Sequence, residues 1–191
     1  AIRRYYQDPD VLYAEPDYIV KAAVRTNDPL LDRQWHLFKT AAAGTQTSAW
    51  DTSSGASGVK IAIVDSGISD SHPDLSGKVA GRKVFANITG SINPHGTFVA
   101  GHAAAKGNNS VGIAGMAYNS TLLDATALGS DGSGAASGIA DGVRWAADSG
   151  AKVINLSLGS IFYMAALEDA IDYAWSKGAV IVAAAGNSGN S

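Results

Sequence analysis

Three polar side chains stand where a folded chain could bring them together. Asp65 follows the apolar run Val59 to Val64, His95 follows the turn Asn93-Pro94, and Asn187 follows the run Ala179 to Ala185 within Gly186-Asn187-Ser188-Gly189. A carboxylate bonded to an imidazole fixes its tautomer and stabilises it as imidazolium, so the ring can act as general base toward a hydroxyl nucleophile. An asparagine amide beside glycine can donate to the oxyanion that develops in acyl transfer. The hydroxyl itself is the member this set lacks.

For these groups to meet, the surrounding elements must end on one rim. Short β-rich runs, Val59 to Val64, Thr121 to Leu128, Lys152 to Leu158 and Ala179 to Ala184, alternate with segments of helical character. Those segments are Thr97 to Lys106, Ala135 to Asp148 and Met164 to Lys177, and Gly150 and Gly178 supply stops for the last two. Strand, helix, strand, repeated, predicts an α/β fold in three layers, a mostly parallel sheet with helices on both faces and right-handed crossovers. In such sheets catalytic groups gather beyond the carboxyl ends of the strands, which is where Asp65, Gly159-Ser160 and Asn187 fall. His95, opening a helix, projects toward the same rim.

The 191 residues are 46% hydrophobic and 16% charged, with a formal net charge of -3. That charge density is too low for a disordered chain, and the sign is wrong for a nucleic-acid partner. No cysteine is present, so neither disulfides nor thiolate metal sites hold the fold; stability must come from packing, to which oxygen-ligated cations could add. The apolar runs fall far short of the roughly 20 residues a bilayer span needs, so no membrane partner is expected. The charged, aromatic opening segment is broken by Thr26-Asn27-Asp28-Pro29, which suggests a boundary nearby.

Three ordered blocks resemble the subtilisin-like serine protease family, in particular its thermitase-like branch: Ile61-Ala62-Ile63-Val64-Asp65-Ser66-Gly67-Ile68 continuing to His72-Pro73-Asp74-Leu75, then His95-Gly96-Thr97-Phe98-Val99-Ala100-Gly101, then Ala183-Ala184-Ala185-Gly186-Asn187. The resemblance covers most of the chain. It implies that Asp65 and His95 are the orienting acid and general base, with Asn187 as oxyanion donor. It also implies that Gly132-Ser133-Gly134 and Ser157-Leu158-Gly159 flank an extended peptide substrate, beside a pocket floored by Ala183 to Gly186, with Ala185 and Gly186 touching substrate. Residues 1–24, including Val11-Leu12-Tyr13-Ala14-Glu15-Pro16-Asp17-Tyr18-Ile19-Val20, resemble the end of an inhibitory propeptide, with the junction between Val20 and Asn27. Residues 25–191 then form the N-terminal part of the catalytic domain. By the same resemblance calcium is held by Asp28, Asp74 and Asn109 with carbonyls of Lys106, Val111 and Ile113. A secreted zymogen is implied, acting on polypeptides, inhibited by its own propeptide and monomeric when complete.

Several positions depart from the family pattern. Pro94 replaces the usual glycine before the histidine, Phe98 replaces a second histidine, and Asp124 to Leu128 is not the apolar-basic strand expected ahead of Gly132. Pro94 fixes φ and restricts Asn93, which could re-aim the His95 ring. No serine sits in a Gly-Thr-Ser-Met-Ala-like context, so the fold is expected to be incomplete at the C-terminus and this piece alone inactive. The rival reading is a non-catalytic homologue that binds peptide or a protein partner through the cleft. A dinucleotide-binding loop at Gly132-Ser133-Gly134 with Gly138 would need an acidic residue ending the next strand, and none follows until Glu168. His36, His72 and His102 read as surface or satisfied histidines.

Overall fold

The computed structural model describes residues 2–16, 25–44, 48–88, 90–187 and 189. The expected propeptide junction and Ser188 therefore lie wholly or partly outside the described residues. In chain order the elements are α1 (Ile2–Tyr5), a 3-10 turn (Leu31–Arg33), α2 (Trp35–Lys39), α3 (Ala49–Thr52), β1 (Lys60–Asp65), β2 (Val79–Val84), α4 (His95–Ala104), β3 (Thr121–Thr126), α5 (Ala136–Asp148), β4 (Ala151–Leu156), α6 (Ala165–Ser176) and β5 (Val180–Ala183). The five strands form one sheet in the order β2-β3-β1-β4-β5, and every pairing is parallel.

Period-2 alternation divides the core into two faces. Ile61, Ile63 and Leu122 turn toward Ala100 and Ala104 of α4. Ala62, Val64, Leu123 and Ala125 turn the other way, onto Ile139, Val143 and Ala146 of α5 and Ala170 and Ala174 of α6. Helices thus cover both faces, as the pattern predicts. The central strand β1 is buried along Ile61 to Asp65, the continuous apolar signature of a strand covered on both sides. A third cluster, Leu31, Leu37, Ala42, Ala43, Trp50 and Ala114, packs the segment ahead of β1 onto the loop after α4.

Boundaries shift by a residue or two. The helix expected over 97–106 runs from His95 and stops at Ala104, because Ala105 takes an extended conformation and the Lys106 N–H donates to the Asp74 carbonyl. The strands expected to reach Leu128 and Leu158 end at Thr126 and Leu156, which frees the segments behind them to shape a cleft. Strand β2 was not anticipated: Val-Ala-Gly-Arg-Lys-Val is mostly exposed and carries adjacent charges, so its only cue is its pairing with β3. Among the described residues, the hydrogen bonds of residues 2–16 are internal to that segment, such as Gln7 N–H to the Arg4 carbonyl at 3.4 Å.

Candidate active site

Asp65 is the last residue of β1 and His95 the first of α4, so a strand end and a helix start hold the two side chains face to face. The His95 Nδ1 lies 2.9 Å from Asp65 Oδ1 and 3.0 Å from Oδ2. Asp65 is fully buried, whereas the His95 side chain is half exposed toward the cleft. An ionised carboxylate only accepts, so Nδ1 carries the proton and Nε2 is left as the basic nitrogen. Asp65 also accepts the Ser66 backbone N–H at 2.7 Å, and its Oδ1, 3.1 Å from the Ser66 hydroxyl, competes with the Asn93 carbonyl for that group's one proton. Its own carbonyl receives the N–H groups of Ala127 and Leu128 at 2.8 and 3.0 Å, which lashes the end of β1 to β3.

The departure at Pro94 leaves this pair assembled. Pro94 has φ -69°, the value its ring fixes and a helix entrance uses, and its carbonyl accepts the Phe98 N–H at 3.0 Å. Asn93 Oδ1 accepts the His95 N–H at 3.0 Å, satisfying a donor that the helix start leaves free. Gly96 is required by close approach: a Cβ there would stand 2.6 Å from the Gly67 carbonyl oxygen and 3.1 Å from Asp65 Oδ1. Phe98 is exposed, 4.4 Å ring to ring from His102.

Two contributors were not identified from sequence. Ser66 Oγ donates to the Asn93 carbonyl at 3.0 Å and accepts the Gly96 N–H at 3.0 Å, joining the acid-bearing turn to the histidine helix. Asn93 is the second. Ser66 follows Asp65 directly, but its hydroxyl meets Asn93 and Gly96, 27 and 30 residues away in the chain, a distance no local pattern spans.

A cleft of about 530 Å³ opens beside His95. Gly132, Ser133 and Gly134 line it together with Ser157, Leu158 and Gly159, and Ser66, Asn93, Ile139 and Met164 also contribute to its walls. The glycine loop is held by Asp131, whose carboxylate accepts the Ser133 N–H at 2.9 Å and hydroxyl at 2.7 Å. Those hydrogen bonds keep the Asp131 carboxyl below its ordinary value. The positive φ of Gly132, +80°, needs a residue without Cβ.

Ala185, Gly186 and Asn187 are exposed beyond β5 and do not line this cleft. Ala183 lines an adjoining cavity of about 360 Å³ that shares Leu158, Gly159, Ser160 and Met164 with it.

Asn109 joins the two expected acidic ligands, Asp28 and Asp74, through its backbone N–H and its side-chain amide. Asp28 accepts the N–H groups of Asn108 and Asn109 at 2.9 and 3.2 Å. Asp74 accepts the Asn109 side-chain amide at 2.9 Å and the Ile113 N–H at 3.0 Å. Both carboxylates are buried, and a Cβ on Gly112 would fall 2.1 Å from Asp74 Oδ2. No group of three or more histidine, cysteine or acidic side chains suited to a metal occurs among the described residues.

Of the remaining histidines, His72 Nδ1 accepts the Asp74 N–H at 3.3 Å, and His102 Nδ1 meets the Phe98 carbonyl at 3.0 Å. His36 Nε2 is buried with no hydrogen-bond partner among the described residues. Burial, then the nearby His102, lowers the His36 pKa.

Residues 56–191 match the model of the subtilase family of peptidases. A thermophilic serine proteinase of Bacillus sp. (strain AK1) is 46% identical, over 100% of this chain and 47% of its own length. Thermitase of Thermoactinomyces vulgaris is 51% identical, over 74% of this chain and 52% of its own. The chain thus spans about half the length of these relatives. Among solved structures, a protease from Pseudoalteromonas arctica PAMC 21717 superimposes with a TM-score of 0.74 at 34% identity, over 86% of this chain and 60% of that one. Sphericase gives 0.66 at 37%, over 82% and 54%.

Proposed function

The chain belongs to the subtilase family, and on that premise we propose that it is the N-terminal portion of a serine endopeptidase whose nucleophilic serine is supplied by catalytic-domain sequence beyond residue 191. The observation that carries this reading is the contact of His95 Nδ1, at 2.9 Å, with an Asp65 carboxylate from which water is excluded. His95 Nε2 takes the serine proton as the hydroxyl attacks the peptide carbonyl, and returns it to the leaving amine. Asp65 holds the ring and stabilises the imidazolium between those two transfers. Asn187 donates to the oxyanion of the tetrahedral intermediate.

Polypeptide is the substrate class. Strand β4 ends its pairing at Leu156 with Ala183, and both Ser157 to Gly159 and Gly132 to Gly134 line the cleft. An extended peptide lying between these segments would bond to main chain, with side-chain pockets supplying preference. Residues 1–24 act as the end of an inhibitory propeptide, and the mature enzyme is secreted and monomeric.

The buried carboxylates of Asp28 and Asp74 are hard oxygen ligands of the kind calcium takes, and Asn109 with the carbonyls of Lys106, Val111 and Ile113 would complete the set. Calcium bound there would neutralise the buried acids and tie the segment ahead of β1 to the loop after α4.

The test is cleavage of casein by the full-length product of the gene, with and without a serine-directed phosphonate. Cleavage that the phosphonate abolishes, and that His95→Ala removes, is expected. A folded full-length product that does not cleave would overturn the endopeptidase reading in favour of a peptide-binding homologue.

A further inference from the structure

Asp124 is a carboxylate in the middle of β3, 1% exposed, at a position where the alternation of Leu122, Leu123 and Ala125 calls for an apolar side chain. Its β-ladder neighbours are Ile63 on β1 and Arg82 on β2. A buried carboxylate is costly unless paired and fully hydrogen-bonded, and replacing such a pair with apolar groups is often neutral for stability, so stability alone is a poor reason for it. What Asp124 touches gives a better one. Its Oδ2 accepts the Ile68 N–H at 2.9 Å and Arg82 Nε at 2.7 Å, and its Oδ1 accepts the Thr126 hydroxyl at 2.9 Å. Arg82 in turn donates to the Ile68 carbonyl and, at 2.7 Å, to Asp70. Ile68 is therefore gripped at both its N–H and its carbonyl.

Ile68 lies three residues past Asp65, in a turn that touches the histidine helix on both sides of it. Ser66 bonds to the Gly96 N–H, Gly67 sits against Gly96, and the Ser69 N–H donates to Thr97 Oγ1 at 2.9 Å. The geometry points to Arg82 and Asp124 as positioning residues of the reaction, a clamp that sets the acid-bearing turn and through it the Asp65–His95 hydrogen bond. This rests on reading Asp65 and His95 as the acid–base pair. Burial alone would lower the Arg82 pKa, but hydrogen bonds and charge from Asp124 and Asp70 outweigh it and raise it, so the guanidinium stays ionised in the clamp. Two sequence oddities, a buried acid in β3 and a strand β2 with no apolar face, become one device.

The test reads His95 directly, by NMR of the 191-residue chain, and needs no nucleophile. Arg82→Lys keeps a positive charge opposite Asp124, yet one ammonium cannot span Asp124, the Ile68 carbonyl and Asp70 together. The His95 Nδ1 proton should exchange with water about 10-fold faster in R82K, the equivalent of one weak hydrogen bond to a charged group. Lys83→Met, an exposed neighbour on β2, should leave that exchange unchanged. Unaltered His95 exchange in folded R82K would overturn the clamp. A second measurement uses the unmodified chain: the Ile68 amide should exchange as slowly as the β1–β3 ladder, and exchange at surface-loop rates would overturn it equally. In the full-length enzyme, R82K should lower kcat with KM unchanged. A full-length product that is folded and inactive, with His95 responding to R82K as stated, would refute the endopeptidase reading and leave the clamp standing.

Discussion

Replacing Gly96 with alanine separates packing from propensity, because the two act with opposite sign. Gly96 is the second residue of α4, and alanine in a helix is favoured over glycine by roughly 0.5–1 kcal/mol. The added Cβ would, however, stand 2.6 Å from the Gly67 carbonyl oxygen, 3.0 Å from the Gly67 nitrogen and 3.1 Å from Asp65 Oδ1. Two of these atoms are backbone on a turn tied by Ser66 and Ser69, so relief requires moving the helix start away from β1. Overpacking of this kind costs about 1–3 kcal/mol, which exceeds the propensity gain. Gly96→Ala should therefore destabilise the chain by about 0.5–2 kcal/mol and lengthen the His95–Asp65 contact. Gly101 on the same helix is the matched control: its Cβ would lie 3.5 Å from Ile113 Cδ1, an ordinary contact. Gly101→Ala should be neutral or stabilising by up to about 1 kcal/mol. Urea denaturation of both variants, with the His95 ring proton followed by NMR, decides between them. G96A as stable as G101A, with an unshifted His95 signal, would refute the packing reasoning.

Three further outcomes are expected. Asp65→Asn in the full-length enzyme should lower kcat by roughly 10⁴-fold, since an amide donor facing Nδ1 favours the wrong tautomer; a loss under tenfold in a casein assay would contradict that role. Because burial and His102 lower the His36 pKa, the fold binds fewer protons there than the unfolded chain does. Stability should rise with pH up to about 6.5 and fall as acidity increases below it, and His36→Gln should flatten that slope in urea midpoints measured across the window. Calcium at about 100 times its dissociation constant should stabilise the chain by about 2.7 kcal/mol, read as a rise in the unfolding midpoint. The rise should vanish in Asp74→Ala, and a midpoint insensitive to calcium in the unmodified chain would rule out the cation site.

The parallel α/β sheet was legible in the chain, because apolar β-rich runs alternate with Ala-rich helical segments and Gly150 and Gly178 stop α5 and α6. Asp65 and His95 were legible for the same reason, one ending an apolar strand and the other opening a helix behind a proline turn. The segments at Gly132 and Ser157, which line the cleft, came from the family resemblance and not from any local pattern. Tertiary structure alone decided the rest. Strand β2 exists through its ladder with β3, and neither its exposure nor its charges announce it. The buried Asp124 has its partner 42 residues away on Arg82, and Ser66 acquires its role from Gly96, 30 residues on. Local periodicity reports which face of an element is apolar. It does not report which polar group from another element will satisfy a buried donor or acceptor, and those pairings hold Asp65 against His95.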